Sequence, residues 1–328
     1  MSDLLIGALG ALLATNQPAA VSNLPVKETG ITISVTDTND PVEKEFKKLM
    51  DEDDAAQAEV DRWIQDNQKF AAKGAGEPNE ELNKRILARF AMVRKGYDDF
   101  LVRHTNHARA HLAYAGFLND IHDEDAAVPH MEKALELDPK EPAAWNNLAN
   151  YYGHYGEPKK AFEYYGKAIA LKPDESVYYQ NFGTTVYLFR KDAREFYNIE
   201  EQQVFDKALE LYAQAMKIDP QDFPLASDVA QVYYGIKPLR TTDALVAWTN
   251  AFNRARDDIE REGVHIHFAR INFLAGRTND ARAHLNAITN EMYADLKKRI
   301  TRNLDRPAEA EVKGTNAPPS APDKTAGK

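Results

Sequence analysis

His104, His107 and His111 stand three and four residues apart, a spacing that brings three imidazoles to one face of a helix and could ligate a transition metal. His265 and His267 form a second candidate pair. Two residues apart, they point to opposite sides of an extended chain and nearly so on a helix, so they make a poor two-ligand site. Against a metal role, His111 falls at a packing position of an amphipathic unit, and His104 and His107 fall at a predicted turn. Structural histidines are the expected reading. Acidic residues are abundant, 51 against 41 basic ones, yet each acidic run reads as a solvated helix face or a helix start. No GxGxxG, GxxxxGK[ST], HExxH or GxSxG string is present. The chain is therefore expected to be no enzyme, with no catalytic residue, metal or cofactor. Membership of an enzyme complex as a non-catalytic subunit, or a weak histidine–metal activity, is the competing reading, and the metal content of purified protein separates the two.

The 328 residues carry a net charge of −10 and no basic cluster, which argues against a nucleic-acid partner. There is no cysteine, which excludes disulfides, thiolate metal sites and a thiol nucleophile without fixing the compartment. Near the start, Leu4–Ala14 is an apolar run too short to span a bilayer, so no transmembrane segment is expected. It is preceded by Asp3, and the first basic residue is Lys27. We read it as a short helix docked on the body of a cytoplasmic protein. The alternative is the core of a signal peptide on an exported protein, decided by mass spectrometry of the native N-terminus.

The elements that must position any site are helices. Residues 1–40 read as an extension in which Ile31, Ile33 and Val35 alternate with Thr and Ser, giving a short strand with no partner strand. Residues 41–106 read as a helical hairpin, with Phe46, Leu49, Val60 and Trp63 in its first helix and Leu82, Ile86, Phe90, Val93, Tyr97 and Phe100 in its second. The acidic run Asp51–Asp54 is expected to interrupt the first of these. The tail 307–328, rich in Ala, Pro and Lys without aromatics, is expected to be disordered.

Between these ends the chain repeats itself. KALELDP, KAIALKP and QAMKIDP close on Pro139, Pro173 and Pro220, steps of 34 and 47 residues. Set in register, the surroundings also match. Trp145, Leu148 and Tyr152 stripe one helix and Ala161, Tyr165 and Ala168 the next, with Gly156–Pro158 between them and Pro173 ending the unit. Small residues let two helix backbones approach, and proline forces the return to the next unit. A single hairpin cannot cover its own apolar face, so the units must stack.

This pattern resembles the tetratricopeptide repeat family. Units fall at about 108–141, 142–175, 176–222 with an insertion, 223–258 and, degenerate, 262–290, followed by a capping helix at 291–306; 41–106 is a possible degenerate first unit. The resemblance implies an all-α, right-handed superhelical solenoid of helix-turn-helix repeats. It also implies a scaffold or adaptor whose first helices line a concave groove for an extended or helical peptide, with a chaperone-like envelope assembly factor as the alternative. Carried onto this sequence, the groove holds Asn146, Asn147, Asn150 and His154, then Gln180, Asn181, Thr184 and Tyr187, then Ser227, Asp228, Gln231 and Tyr234. Asn147 and Asn181 resemble the asparagine ladder with which relatives hold a ligand's backbone, although asparagine is also ordinary there. An amide offers donors and an acceptor whatever the ligand's side chains. These positions supply no Lys or Arg, which disfavours capture of a terminal carboxylate. The insertion after Val186 and a shorter one at 234–243 carry Arg190, Lys191, Arg194, Lys237 and Arg240, a second binding surface or simply a solvated rim. Partner identity and oligomeric state do not follow from these residues.

Overall fold

In the computed structural model of the protein, residues 40–71 and 74–305 are described. The expected strand at Ile31–Val35, the helix at Leu4–Ala14 and the tail fall outside them. The described residues are helical, with no strand among them, and they divide into two units between Pro220 and Gln221.

The first unit starts with α1 (Pro41–Ala71) and α2 (Asn79–Arg103), packed on each other. The acidic run does not interrupt α1. Its charges are compensated instead: Lys47 Nζ lies 2.6 Å from Asp51, Arg89 Nη1 2.8 Å from Glu52, and the Tyr97 hydroxyl donates to Asp53 at 2.8 Å. Phe46, Ala56 and Val60 keep a continuous buried stripe, so the helix runs through 31 residues. Burial against α2 pushes the Asp53 carboxyl up to about 6.

Three helical hairpins follow. They are α3 (Ala108–Asp120) with α4 (Glu124–Leu137), α5 (Pro142–His154) with α6 (Pro158–Leu171), and α7 (Ser176–Leu188) with α9 (Glu201–Ile218). Between hairpins, α4 packs on α5 and α6 on α7, so each apolar face is covered by its neighbour. Pro142 and Pro158 take the first turns of α5 and α6, where a missing N–H costs nothing. The inserted residues form α8 (Arg190–Tyr197), which packs on α6, α7 and α9, while α9 grows to 18 residues. Ala115, Ala149, Ala161 and Ala168 are fully buried where the helices meet. Gly183 marks a close approach within the third hairpin. A Cβ there would lie 3.2 Å from the Ala208 carbonyl oxygen and 3.2 Å from Tyr212 Cδ2.

In the second unit α10 (Phe223–Val232) packs with α11 (Thr241–Phe252), α11 with α12 (Asp258–Leu274), and α12 with α13 (Thr278–Asn286). A 3-10 turn, Glu291–Tyr293, leads into α14 (Ala294–Leu304), which lies against α12 and α13 and closes a core of Ile266, Ala269, Leu285, Ile288, Ile300 and Leu304. The turns of hairpins α3–α4, α5–α6 and α12–α13 share one device. His122, Gly156 and Gly276 all take the left-handed region, at φ of 61°, 87° and 74°. In each the next N–H returns 2.8 Å to a carbonyl of the ended helix.

Candidate functional site

The amides expected to line a groove belong to α5 and α7, successive first helices of neighbouring hairpins. They are not open to water. Asn146, Asn147, Asn150, Gln180, Asn181 and Thr184 are all buried, Asn146 and Asn181 completely. Asn181 Nδ2 donates to Asn146 Oδ1 at 3.2 Å, and Asn146 Nδ2 donates to Asn147 Oδ1 at 3.1 Å. The two helices are thus joined by a short amide chain of three residues. None of Asn147, Asn150, Gln180, Asn181 or Tyr187 is without a partner, which fits the cost of burying an unbonded polar group.

Beneath the amides lies a layer of hydroxyls that sequence reasoning treated only as packing. The Tyr165 hydroxyl donates to Asn150 Oδ1 at 2.7 Å and accepts from Thr185 Oγ1 at 3.1 Å. Thr184 Oγ1 and the Tyr212 hydroxyl are 2.6 Å apart. Burial holds the Tyr165 phenol above its ordinary value, so it stays a neutral donor. The available signal was tyrosine, a large residue with a polar tip, recurring on the second helices opposite Asn and Thr. Of the other groove candidates in this unit, Tyr187 is fully buried and His154 is exposed at the end of α5, 3.7 Å from Glu124.

In the second unit Ser227, Gln231 and Tyr234 are buried and Asp228 half-buried. The Tyr234 hydroxyl meets His267 Nδ1 at 3.0 Å, the Trp248 ring stacks on His267 at 3.8 Å, and the Arg270 guanidinium lies 4.8 Å from the Tyr234 ring. Burial, reinforced by Arg270, holds His267 well below its ordinary value, so it is a neutral hydrogen-bonding group.

The rim arginines are engaged locally. Arg190 Nη1 donates to the Tyr187 carbonyl at 2.8 Å and its Nε lies 3.7 Å from Glu201, while Arg194 pairs with Glu200 at 3.1 Å. Lys191 and Lys237 are exposed and Arg240 half-buried. Arg190, Lys191 and Arg194 do line one shallow pocket with Phe189 and Glu201.

The histidines serve the helices. His107 accepts from the Ala110 N–H at 3.0 Å as an N-cap, and His104 ends α2. His111 does not join them in a metal site. Its Nε2 lies 3.0 Å from the Thr105 carbonyl and its Nδ1 3.0 Å from His130 Nδ1. The same arrangement recurs in the second unit, where His265 and His284 Nδ1 atoms are 3.0 Å apart. Among the described residues no group of three or more His, Asp or Glu is placed to hold a metal.

Burial lowers all four of these histidines, His130 to about 4 with His111 adding to the effect. An unfolded imidazole titrates near 6.5. Folded protein therefore binds fewer protons than unfolded protein between those values. Stability is fully present above about pH 6.5 and is lost as pH falls toward 4. Asp98 and Arg94 face His130, Lys133 faces His111, Glu262 faces His265 and Asp280 faces His284. Asp53, raised to about 6, acts oppositely over the same window. The expected result is a thermal midpoint that falls from pH 7 to pH 5 less in a His130→Phe, His284→Phe variant than in the parent. Parallel profiles would contradict it.

The match to known families falls on the hairpin that carries this geometry. A model of the tetratricopeptide repeat matches residues 142–175, which span α5, its turn and α6. The chain contains a tetratricopeptide repeat. Over 125 residues it is 30% identical to response regulator aspartate phosphatase A of Bacillus subtilis (strain 168). That match covers 36% of this chain, which spans about a third (32%) of the relative's length. Among solved structures it resembles PilW, a type IV pilus biogenesis factor, at a TM-score of 0.50 and 15% identity over 72% of this chain and 97% of PilW. It also resembles YrrB, a tetratricopeptide protein described as having an unusual peptide-binding site, at a TM-score of 0.45 and 15% identity over 62% and 97%. No helix among the described residues is long and apolar enough to cross a membrane.

Proposed function

We propose that this protein is a non-catalytic scaffold that holds an extended segment of a protein partner on the amide face of α5 and α7. The repeat architecture supports a protein-interaction role. The single observation that carries the finer reading is the linked set Asn146, Asn147 and Asn181, which sits on successive first helices instead of the apolar residues a plain core would use. Amides at a helix-to-helix spacing of about 8–10 Å meet an extended backbone at about every third residue, since each residue advances about 3.3 Å. Once reached by a partner, these buried amides can pair with its N–H and C=O groups irrespective of side chain, while the exposed His154 adds a polar contact. The comparable face of the second unit, with Ser227, Asp228, Gln231 and Tyr234, and the basic residues Arg190, Lys191, Arg194, Lys237 and Arg240 are secondary candidates in the same reading.

An Asn147→Ala, Asn181→Ala variant tests it. Each change removes a buried amide bond at about 1–3 kcal/mol, so circular dichroism must confirm the fold. Ala91→Gly, a change at an exposed position within α2 that costs about 1 kcal/mol and leaves the face intact, is the stability control. Partner capture is expected to vanish in the asparagine variant and persist in the control. Capture retained by the asparagine variant would remove the face as the site.

A further inference from the structure

We propose that the end of α5 is a subsite for a basic side chain of the bound segment, an arginine laid on the stacked rings of Tyr151 and Tyr155 and paired with Asp125 and Glu124 of α4. The inference rests on the reading of the amide face as the binding site and names a residue that its ligand carries beside that face. Three observations support it.

First, an aromatic pair stands in the open. Tyr155 is 53% exposed, and its ring stacks on that of the half-buried Tyr151 at 4.3 Å with 27° between the planes. Tyr151 in turn meets Tyr152 edge-on at 5.5 Å, which holds the stack in place. Ring faces of this hairpin attract cations elsewhere: Lys160 Nζ lies 3.5 Å from the centre of the Tyr152 ring and Lys167 Nζ 4.1 Å from that of Trp145. Among the described residues no lysine or arginine lies over Tyr151 or Tyr155.

Second, unpaired negative charge stands beside the rings. Glu124 and Asp125 occupy the first turn of α4 and face both phenols. Desolvation, and after it Asp125, hold both phenols above their ordinary value, so the rings stay neutral. Acids in a first turn favour the helix dipole, which accounts for their sign but not for the open rings next to them. The neighbouring Asp123 is taken by Arg94. Among the described residues the ion pair of Glu124 is with His154 at 3.7 Å, and Asp125 has no basic partner. A guanidinium meets both demands at once, because its plane stacks on a ring while its fork takes a carboxylate. An ammonium is a point charge and makes the weaker match.

Third, the subsite continues the amide face. Asn147, Tyr151 and Tyr155 follow one another at four-residue steps and so share one stripe of α5. Tyr151 stands about 6 Å along the helix axis from Asn147. A backbone held at Asn147 therefore sends a long side chain across one turn onto the rings.

The probe is a blocked peptide of serine and threonine with one central arginine, titrated into the full chain and followed by the tyrosine ring signals in NMR. Copies with lysine, or with the neutral isostere citrulline, isolate the charge. The arginine peptide is expected to shift the Tyr151 and Tyr155 signals and to bind about threefold to thirtyfold more tightly than the citrulline copy, with lysine between them. Asp125→Asn and Tyr155→Ala, both at exposed positions, should each shrink that gap, and raised salt should narrow it too. Glu163→Gln, exposed on α6, is the charge control and should leave it unchanged. Equal affinity of the arginine and citrulline copies, no response of the two rings, or an arginine preference that survives both Asp125→Asn and Tyr155→Ala would overturn the proposal. The Asn147→Ala, Asn181→Ala variant separates the two readings: it should weaken every copy and keep the arginine preference. If binding depends on the asparagines but shows no arginine preference, only this inference falls. If the preference persists while the asparagines prove indifferent, the amide face is wrong and the basic subsite stands by itself.

Discussion

Replacing Tyr165 with alanine is expected to cost about 3–5 kcal/mol, the range for deleting a buried aromatic side chain. Its ring is fully buried, stacks on Phe182 at 5.4 Å with 23° between the planes, and so joins the second hairpin to the third. Its hydroxyl bridges Asn150 and Thr185. Tyr165→Phe isolates the second contribution: it keeps the stacking, leaves two buried polar groups to find other partners, and should cost about 1–3 kcal/mol. Urea unfolding followed by circular dichroism reads both. Because units stabilise one another through neighbours, the alanine change should also broaden the transition as the hairpins on either side uncouple. A loss below about 1 kcal/mol in Tyr165→Ala would mean that this ring does not link the hairpins.

Gly183→Val is the second large effect. The glycine lies on α7 against α9, and an added Cβ would sit 3.2 Å from both the Ala208 oxygen and Tyr212 Cδ2. One methyl requires the neighbours to give by a few tenths of an ångström, and the helix propensity gained over glycine, about 1 kcal/mol, offsets that. Gly183→Ala should therefore lie near neutrality. Valine adds two more methyl groups at the same contact, and overpacking of this kind costs about 1–3 kcal/mol. It must also move Tyr212 away from Thr184, whose oxygens are 2.6 Å apart. The valine variant should thus weaken both stability and the polar layer under the amide face. Equal midpoints for alanine and valine would show that α7 and α9 are not in close contact.

Much of this was legible in the residues. The 34-residue register, with Ala149, Ala161 and Ala168 in phase and Pro173 closing the unit, forces helical hairpins because small residues and prolines are constrained by backbone geometry alone. The left-handed turn was half legible. Gly156 and Gly276 announce it, but His122 takes the same conformation at φ 61° and carries no such signal. The unbroken α1 was misread at Asp51–Asp54. Four adjacent acids look like a break until Lys47, Arg89 and Tyr97 are seen to compensate three of them from the preceding turn and the next helix. At the site, the positions of Asn146, Asn147 and Asn181 followed from register. Their burial and mutual bonding did not, because those depend on the distance between α5 and α7. The pairing of His111 with His130 and of His265 with His284 was hidden for the same reason: partners 19 residues apart meet only when two helices fold back on each other.

The most direct measurement of whether this face recognises an extended chain is site-specific photocrosslinking. A benzophenone amino acid replaces His154, exposed at the end of α5 beside the amides, and in a parallel protein it replaces Glu163, exposed on α6. The account predicts adducts from position 154 that map to one extended stretch of the ligand and disappear in the Asn147→Ala, Asn181→Ala background, with none from position 163. Adducts that arise equally from both positions, or that persist without the two asparagines, would contradict it.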